Sequence, residues 1–312
     1  LRFVRKRLGD EEFIAKYKEY YKEVMDEGLE TEEINYYQEV RSQKNNLGND
    51  LSKNLALDYL YPEKVSGYYS LELRPPEGDI AYEELSALLE LLGDEELSLR
   101  TTNRQGLLIR GVKKESVEEL IEGINNINSE FLIDNMGVMS IACKGASTCR
   151  LGLCLSPNLS AEIRKVLISL DNRLQSLIPQ IYISGCPNSC GQHLIGKIGF
   201  EGKAKRFNDK LVPHYSLLLG GQIAEDQSKY GESVIDLPAK RIPGFLGSLA
   251  KFLAEDKDYN PDRFNEYLLQ GGKDKIVELA REYTEVSTYE ENPDIYKDWG
   301  REEDFSLAGR GP

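Results

Sequence analysis

The spacing of hydrophobic positions changes repeatedly along this chain, and each change marks a new kind of element. Across residues 1–66 apolar side chains recur at helical intervals among many charges, with aromatic steps at Tyr17, Tyr20 and Tyr21 and again at Tyr36 and Tyr37. No strand pattern competes, so the segment reads as a helical connector. Residues 68–74 then alternate as a strand, Pro75-Pro76-Glu77-Gly78 breaks it, and residues 80–92 return to helical spacing. Strand patterns at 97–102 and 107–112 flank a polar turn, and 116–124 is an acidic amphipathic helix. Strand, helix, strand, strand, helix is most of a ferredoxin-like unit, which bounds a region at 67–130.

The next region, 131–285, predicts a helix at 161–174, a short β-rich run at 180–184, strands at 197–200 and 214–219, a glycine-rich turn and a helix at 244–253. The run at 180–184 delivers Cys186 at its end, where a rigid element holds a group that a loop exposes. Residues 286–312, closing on Ala308-Gly309-Arg310-Gly311-Pro312, read as a tail, with Trp299 as a packing anchor. The fold class is α+β: a helical connector, a ferredoxin-like α/β unit, and an α/β domain that carries the cysteines.

At 312 residues and 40% apolar content the chain can bury a sizeable core. No apolar run reaches the roughly 18 residues of a membrane span, and no charged-apolar-small leader opens the sequence. The expectation is a soluble, cytoplasmic protein. A formal net charge of −14 excludes a nucleic-acid role, since phosphate binding needs a basic field. Acidic clusters at Asp10-Glu11-Glu12, 115–122, Glu290-Glu291 and Glu302-Glu303-Asp304 read as solvated faces. Against that background Lys203, Lys205, Arg206 and Lys210 form a basic run.

Five cysteines, an odd number in a long chain, argue against a disulfide framework and for reduced thiols in metal or redox roles. Four fall in two pairs: Cys143 with Cys149 inside Ala-Cys-Lys-Gly-Ala-Ser-Thr-Cys, and Cys186 with Cys190 inside Ser-Gly-Cys-Pro-Asn-Ser-Cys-Gly. Four thiolates so arranged can hold a metal cluster. A helix starting after Pro187 would put Cys186 and Cys190 on one face, within reach of two irons of a cubane. Gly145, Ala146 and Ser147 would let the backbone approach a cluster and offer it N–H groups. Cys154 reads as a buried structural thiol. His193 and His214 are the only histidines; a structural role is the default for both, with proton donation the other option for His193. A four-cysteine zinc site is an alternative, although zinc knuckles place two to four residues between cysteines and Cys-x5-Cys suits them poorly.

The pattern Cys-x5-Cys followed by Gly-Cys-Pro-Asn-Ser-Cys-Gly resembles the signature of sulfite and nitrite reductases that couple siroheme to a 4Fe-4S cluster. The stretch from Arg100 to Gln105 is similar to that family's Arg-x-Thr-x-x-Gln. Leu219-Gly220-Gly221 and Pro238-Ala239-Lys240-Arg241-Ile242-Pro243 are similar to later blocks, so the resemblance spans residues 67–255 in order. It implies a six-electron reduction of sulfite to sulfide or nitrite to ammonia, with ferredoxin or a flavoprotein as electron donor. It also implies that Cys143, Cys149, Cys186 and Cys190 are the cluster ligands, Cys190 bridging to the siroheme iron. Siroheme is a polycarboxylate, so its pocket must be basic. Arg100, Arg104, Lys144, Arg150, Lys203, Lys205 and Arg206 are the candidates, with Asn103, Gln105 and Asn188 as neutral donors.

Family members are built from two similar halves, and here Arg-x-Thr-x-x-Gln occurs once in a chain that begins at Leu1. The reading is a C-terminal half, with the substrate-gripping Arg and Lys side chains in the first half and no catalytic side chain to name. The other class left open is an iron-sulfur electron-transfer module without siroheme, in which the 203–206 run would dock an acidic carrier.

Overall fold

The computed structural model describes residues 5, 7–26, 57, 59–93, 97–133, 138–225 and 227–308. The chain divides into two compact units, Leu1–Asn45 and Asn46–Pro312. The first carries helix α1 (Asp10–Asp26), whose opening residues Asp10, Glu11 and Glu12 lie at the positive end of its dipole. No side chain of this helix is buried. Residues 27–56 of the helical reading, with Tyr36 and Tyr37, lie outside the described residues.

The second unit contains two sheets. In the first, β1 (Leu60–Pro62), β2 (Tyr68–Leu73), β3 (Ser98–Thr101) and β4 (Leu107–Lys113) pair antiparallel in the order β1-β2-β4-β3. Helix α2 (Tyr82–Leu92) joins β2 to β3, and α3 (Val117–Asn128) follows β4. Their apolar faces close a core in which Leu71, Leu73, Leu88, Ile109 and Ile124 are fully buried. The order is that of a ferredoxin-like sheet, with one difference: the edge beside β2 is taken by Leu60–Pro62, from the stretch read as helical. Three residues are too few to show alternation, and Pro62, lacking an N–H, is tolerated at an edge. A polar network fixes this edge. Tyr61 donates to Glu72 at 3.0 Å, Arg74 pairs with Glu72 at 3.1 Å, and both charged groups are buried.

The second sheet runs β5-β6-β7-β8-β9 and is mixed. Strands β5 (Ile141–Ala142), β6 (Ile181–Ser184) and β7 (Ile198–Phe207) are parallel neighbours; β8 (Lys210–Leu219) and β9 (Glu232–Pro238) return antiparallel. The helix predicted at 161–174 is two: α4 (Ser156–Ile168), started early by Pro157, and α5 (Asn172–Gln175), capped by the Asp171 carboxylate accepting from Leu174 N–H at 2.9 Å. After β9 comes α6 (Ile242–Glu255), then α7 (Phe264–Tyr267) and α8 (Lys273–Arg281). Leu159, Ile163 and Leu167 of α4 meet Phe245, Leu246 and Leu249 of α6 over Ile181, Ile183, Ile198, Phe200 and Leu217. Strands β7 and β8 extend beyond their predicted ends because lysines interrupt the apolar pattern where the hairpin leaves the core, and Asn208, at φ +52°, makes the turn.

Within 286–312, the stretch read as a tail, Ile295, Tyr296, Asp298 and Phe305 are buried. Trp299 Nε1 donates to Ala239 O at 2.9 Å, with Lys240 Nζ 4.1 Å from its ring centre. Residues 309–312 of the Ala308 to Pro312 ending lie outside the described residues. Among the described residues no helix is long and apolar enough to cross a membrane.

Candidate functional site

Parallel strands explain how cysteines more than 40 positions apart come together. Ala142 is in register with Ile183, so β5 and β6 end side by side, and the residues that follow them leave the sheet at the same edge. Cys143 follows β5 directly and Cys186 lies just past β6. The C-terminal exits of adjacent parallel strands are where open α/β sheets place their ligands.

Backbone packing then locks the two arms. Cys143 N–H donates to Ile183 O at 3.0 Å, while Leu153 and Cys154 N–H both donate to Gly185 O at 2.9 Å. A Cβ on Gly185 would stand 2.5 Å from Cys154 O and 2.9 Å from Gly145 Cα; one on Gly202 would stand 2.5 Å from Gly185 O. These glycines are required because main chain touches main chain. Ser156 Oγ donates to Cys143 O at 2.8 Å, and Gly185 N–H points at Cys143 Sγ at 3.2 Å.

Two expectations about the arms change. After Pro187 the chain makes turns rather than a helix, with Ser189 at φ +57° and Gln192 at φ +60°, so Cys186 and Cys190 are presented by loop geometry. Ala146 N–H is committed to Cys154 O at 2.9 Å and Ser147 N–H to Lys144 O at 3.2 Å. The small residues of the first loop therefore serve loop packing rather than a ring of free donors.

All five cysteines are free thiols: Cys186 and Cys154 buried, Cys143 partly buried, Cys149 and Cys190 exposed. The Cys186 thiol is pushed up by burial, pulled down by the Asn188 backbone, and raised again by the charges of Cys143, Cys190 and Cys149. Four thiols thus share one electrostatic neighbourhood. Among the described residues no three His, Cys, Asp or Glu side chains converge as ligands of a single ion. Thiolates are the ligands of both tetrahedral zinc sites and iron-sulfur clusters, so the donor set is compatible with either. The donor chemistry fits such a cluster.

Of the candidate siroheme contacts, Asn103, Gln105, Lys144, Arg150 and Asn188 lie on or against the cysteine arms, and the others take separate places. Arg104 faces a cleft of about 800 Å³ with Tyr182, Lys197, Lys229 and Asn265. Arg100 lies on β3 against Ser98 Oγ. Lys144 is ion-paired with Asp79. Lys203 and Lys205 share Asp236 at 3.5 and 2.7 Å, and Arg206 donates to Asp209 O. Arg150 and Asn188 are exposed beside Cys149 and Cys190. Gln105 spends its amide on Ala142, and Asn103 O accepts from Gln192. The basic run reads in sequence as free charge because Asp236 lies two strands away.

Sequence reasoning missed Gln192, Ser156 and Asp298. The buried Asp298 carboxylate accepts from Leu155 N–H at 2.8 Å, across 143 positions. Of the three, only Gln192 lay beside a motif that could have flagged it. His193 is fully buried, its Nε2 3.3 Å from Glu201 Oε2, and burial lowers its pKa against the pull of Glu201. His214, also buried, donates from Nδ1 to Val212 O at 3.1 Å.

Residues 61–127 match the family model of the nitrite/sulfite reductase ferredoxin-like half domain. A protein named sulfite reductase (ferredoxin) 1 from Mycolicibacterium paratuberculosis is 27% identical over 187 residues, 57% of this chain and 33% of its own. A chloroplastic ferredoxin–nitrite reductase of Oryza sativa subsp. japonica is 29% identical over 203 residues, 62% of this chain and 33% of its own. The hemoprotein beta-component of an NADPH sulfite reductase from Bacillus licheniformis is 30% identical over 204 residues, 61% and 32% respectively. The chain thus spans about a third of the length of these relatives. The structure of the Mycobacterium tuberculosis NirA protein shares the fold at TM-score 0.59 and 20% identity, over 70% of this chain and 41% of that one.

Proposed function

We propose that the chain is a member of the sulfite and nitrite reductase family, on the strength of its half-domain match and its named relatives, and that it carries the 4Fe-4S cluster of an enzyme that reduces sulfite to sulfide or nitrite to ammonia. The observation that carries this reading is the pair of cysteine arms leaving adjacent parallel strands, locked by backbone contacts at Gly145, Gly185 and Gly202. Cys143, Cys149, Cys186 and Cys190 hold the cluster, and Gly185 N–H, aimed at Cys143 Sγ, withdraws charge from that sulfur and favours the reduced state. When bound, the cluster supplies single electrons and siroheme supplies the iron at which a six-electron reduction is completed. Arg104, Arg150 and Asn188 are this chain's candidates for siroheme carboxylates, the substrate-gripping cations belonging to the other half of the enzyme. The donor would be ferredoxin or a flavoprotein, and reduced thiols suit the cytoplasm.

A second reading, an electron-transfer module without siroheme, is favoured by one observation: Lys144, Lys203 and Lys205, read as tetrapyrrole contacts, are already paired with carboxylates. Anaerobic reconstitution with iron and sulfide tests the shared premise. The expected result is about four irons and four labile sulfides per chain, lost when any of Cys143, Cys149, Cys186 or Cys190 is changed to Ser and kept in Cys154→Ser. Stoichiometric zinc without labile sulfide, or a cluster surviving both Cys143→Ser and Cys186→Ser, overturns it. Tetrapyrrole absorption in the red after siroheme addition separates the two readings.

A further inference from the structure

The turn between β3 and β4 touches both cysteine arms. Its own shape is set locally: Thr102 Oγ1 accepts from Gly106 N–H at 3.1 Å, and Thr102 N–H donates to Gly106 O at 2.9 Å. Gln105 sits at φ +59°, a left-handed conformation that side chains other than glycine avoid. The turn has no slack to move away, since a Cβ on Gly78 would lie 2.7 Å from Gln105 Cβ and one on Gly106 2.5 Å from Leu73 O.

From that position the Gln105 amide makes two bonds to one residue of the second sheet. Its Nε2 donates to Ala142 O at 2.6 Å, and its Oε1 accepts from Ala142 N–H at 2.8 Å. Ala142 belongs to β5, the edge strand of that sheet, so the side chain stands where a further strand would pair. The next residue is Cys143. The second arm is tied by the neighbouring position: Gln192 Nε2 donates to Asn103 O at 2.8 Å, two residues past Cys190. Gln192 is itself held at φ +60°, with its N–H on Ser189 O at 2.9 Å.

We propose that this turn is a clamp that sets the separation of the two cysteine arms, with Gln105 a positioning residue for Cys143 and Gln192 its counterpart for Cys190. The proposal rests on the cluster reading in what it says of the metal, but the clamp itself is a property of the polypeptide. The sequence presents Gln105 and Asn103 as cofactor contacts; the geometry commits the Gln105 amide to Ala142, whereas Asn103 is engaged through its backbone carbonyl rather than its side chain. Removing the ties leaves all four thiols in place and loosens the distance between them.

The test compares the full chain with Gln105→Leu, with Gln105→Gly, which suits the positive φ and removes the same two bonds, and with Gln192→Ala. Hydrogen exchange is measured first on the cluster-free protein. The expected result is exchange about ten-fold faster at Cys143 and Gly191 N–H in the variants, with the β7–β8 ladder unchanged. On the reconstituted protein, loss of iron to a chelator is expected to accelerate similarly, with altered EPR of the reduced cluster and unchanged circular dichroism. Unchanged exchange in both arms in Gln105→Gly and Gln192→Ala overturns the clamp, whether or not iron binds. If wild type takes up no cluster while the exchange result holds, the metal reading fails and the clamp stands.

Discussion

At the scale of single residues, the glycines next to the cysteines carry the strictest demands. A Cβ on Gly191 would overlap Ile183 O and lie 2.9 Å from Cys143 N, both of them backbone atoms that cannot swing aside. Gly191 N–H also donates to Ser184 Oγ at 3.0 Å, so the residue cannot retreat without losing a buried bond. Gly191→Ala is therefore expected to destabilise by about 3 kcal/mol or more, the upper range for overpacking. Gly244 is the contrast. It lies inside α6, where a Cβ would make an ordinary 3.5 Å contact with Tyr283, and Gly244→Ala is expected to stabilise by about 0.5–1 kcal/mol through the unfolded chain's lost freedom. Urea unfolding midpoints of the two variants check both signs; equal midpoints would show that neither backbone position matters as argued.

Among elements, the segment from Pro293 to Phe305 binds the cysteine domain from outside. Ile295 and Tyr296 pack on Val212 of β8, Phe305 N–H donates to Tyr296 O at 2.7 Å, and Asp298 reaches the N-terminus of α4 through Leu155 N–H. A carboxylate there answers both an unpaired donor and the helix dipole. Asp298→Ala leaves a buried N–H without that acceptor and is expected to cost about 2–3 kcal/mol; denaturant titration checks it, and a loss under about 0.5 kcal/mol would assign the contact no structural weight. This contact also marks what sequence could and could not supply. The ferredoxin-like strands and helices were legible because their apolar periods are local, and the four cysteines because their spacing is. Asp298 was not, since the donor it serves is 143 positions away, and neither was the pairing of Lys203 and Lys205 with Asp236, which exists only after β7, β8 and β9 align. Sequence leaves helix and turn open after Pro187 because an i, i+4 spacing looks the same in both; what decides is the left-handed backbone at Ser189 and Gln192, which no propensity encodes.

Over the whole molecule two titrations oppose each other. With a formal charge of −14 and a pI near 4.9, acidification from neutral relieves self-repulsion and favours the compact state. The histidines act the other way. Burial lowers the His214 pKa, and Lys205 lowers it further, against the Val212 carbonyl and Asp236; burial lowers that of His193 against Glu201. Both folded values lie below the ordinary 6.5, so as pH falls through 6.5 the unfolded chain takes up protons that the folded chain refuses. Their contribution is complete above about 6.5 and is lost toward the folded values. Asp236 adds a later loss. Burial would raise its pKa, but the Lys205 and Ser216 hydrogen bonds and the two lysine charges bring it to about 2 from 3.8, so its contribution is present above about 3.8 and disappears toward 2. In about 1 M salt, where the screening length is about 3 Å, the repulsion is suppressed and the histidine effect should dominate. Unfolding free energy in that salt is expected to fall from pH 7.5 to 5 and again below 4, with both imidazoles more than half neutral by NMR at pH 6.5. At low salt the first fall should be shallower, because relief of like-charge repulsion offsets it. A flat or rising high-salt profile between pH 7.5 and 5 would mean that the buried histidines protonate without penalty, and that net charge alone governs this protein's response to acid.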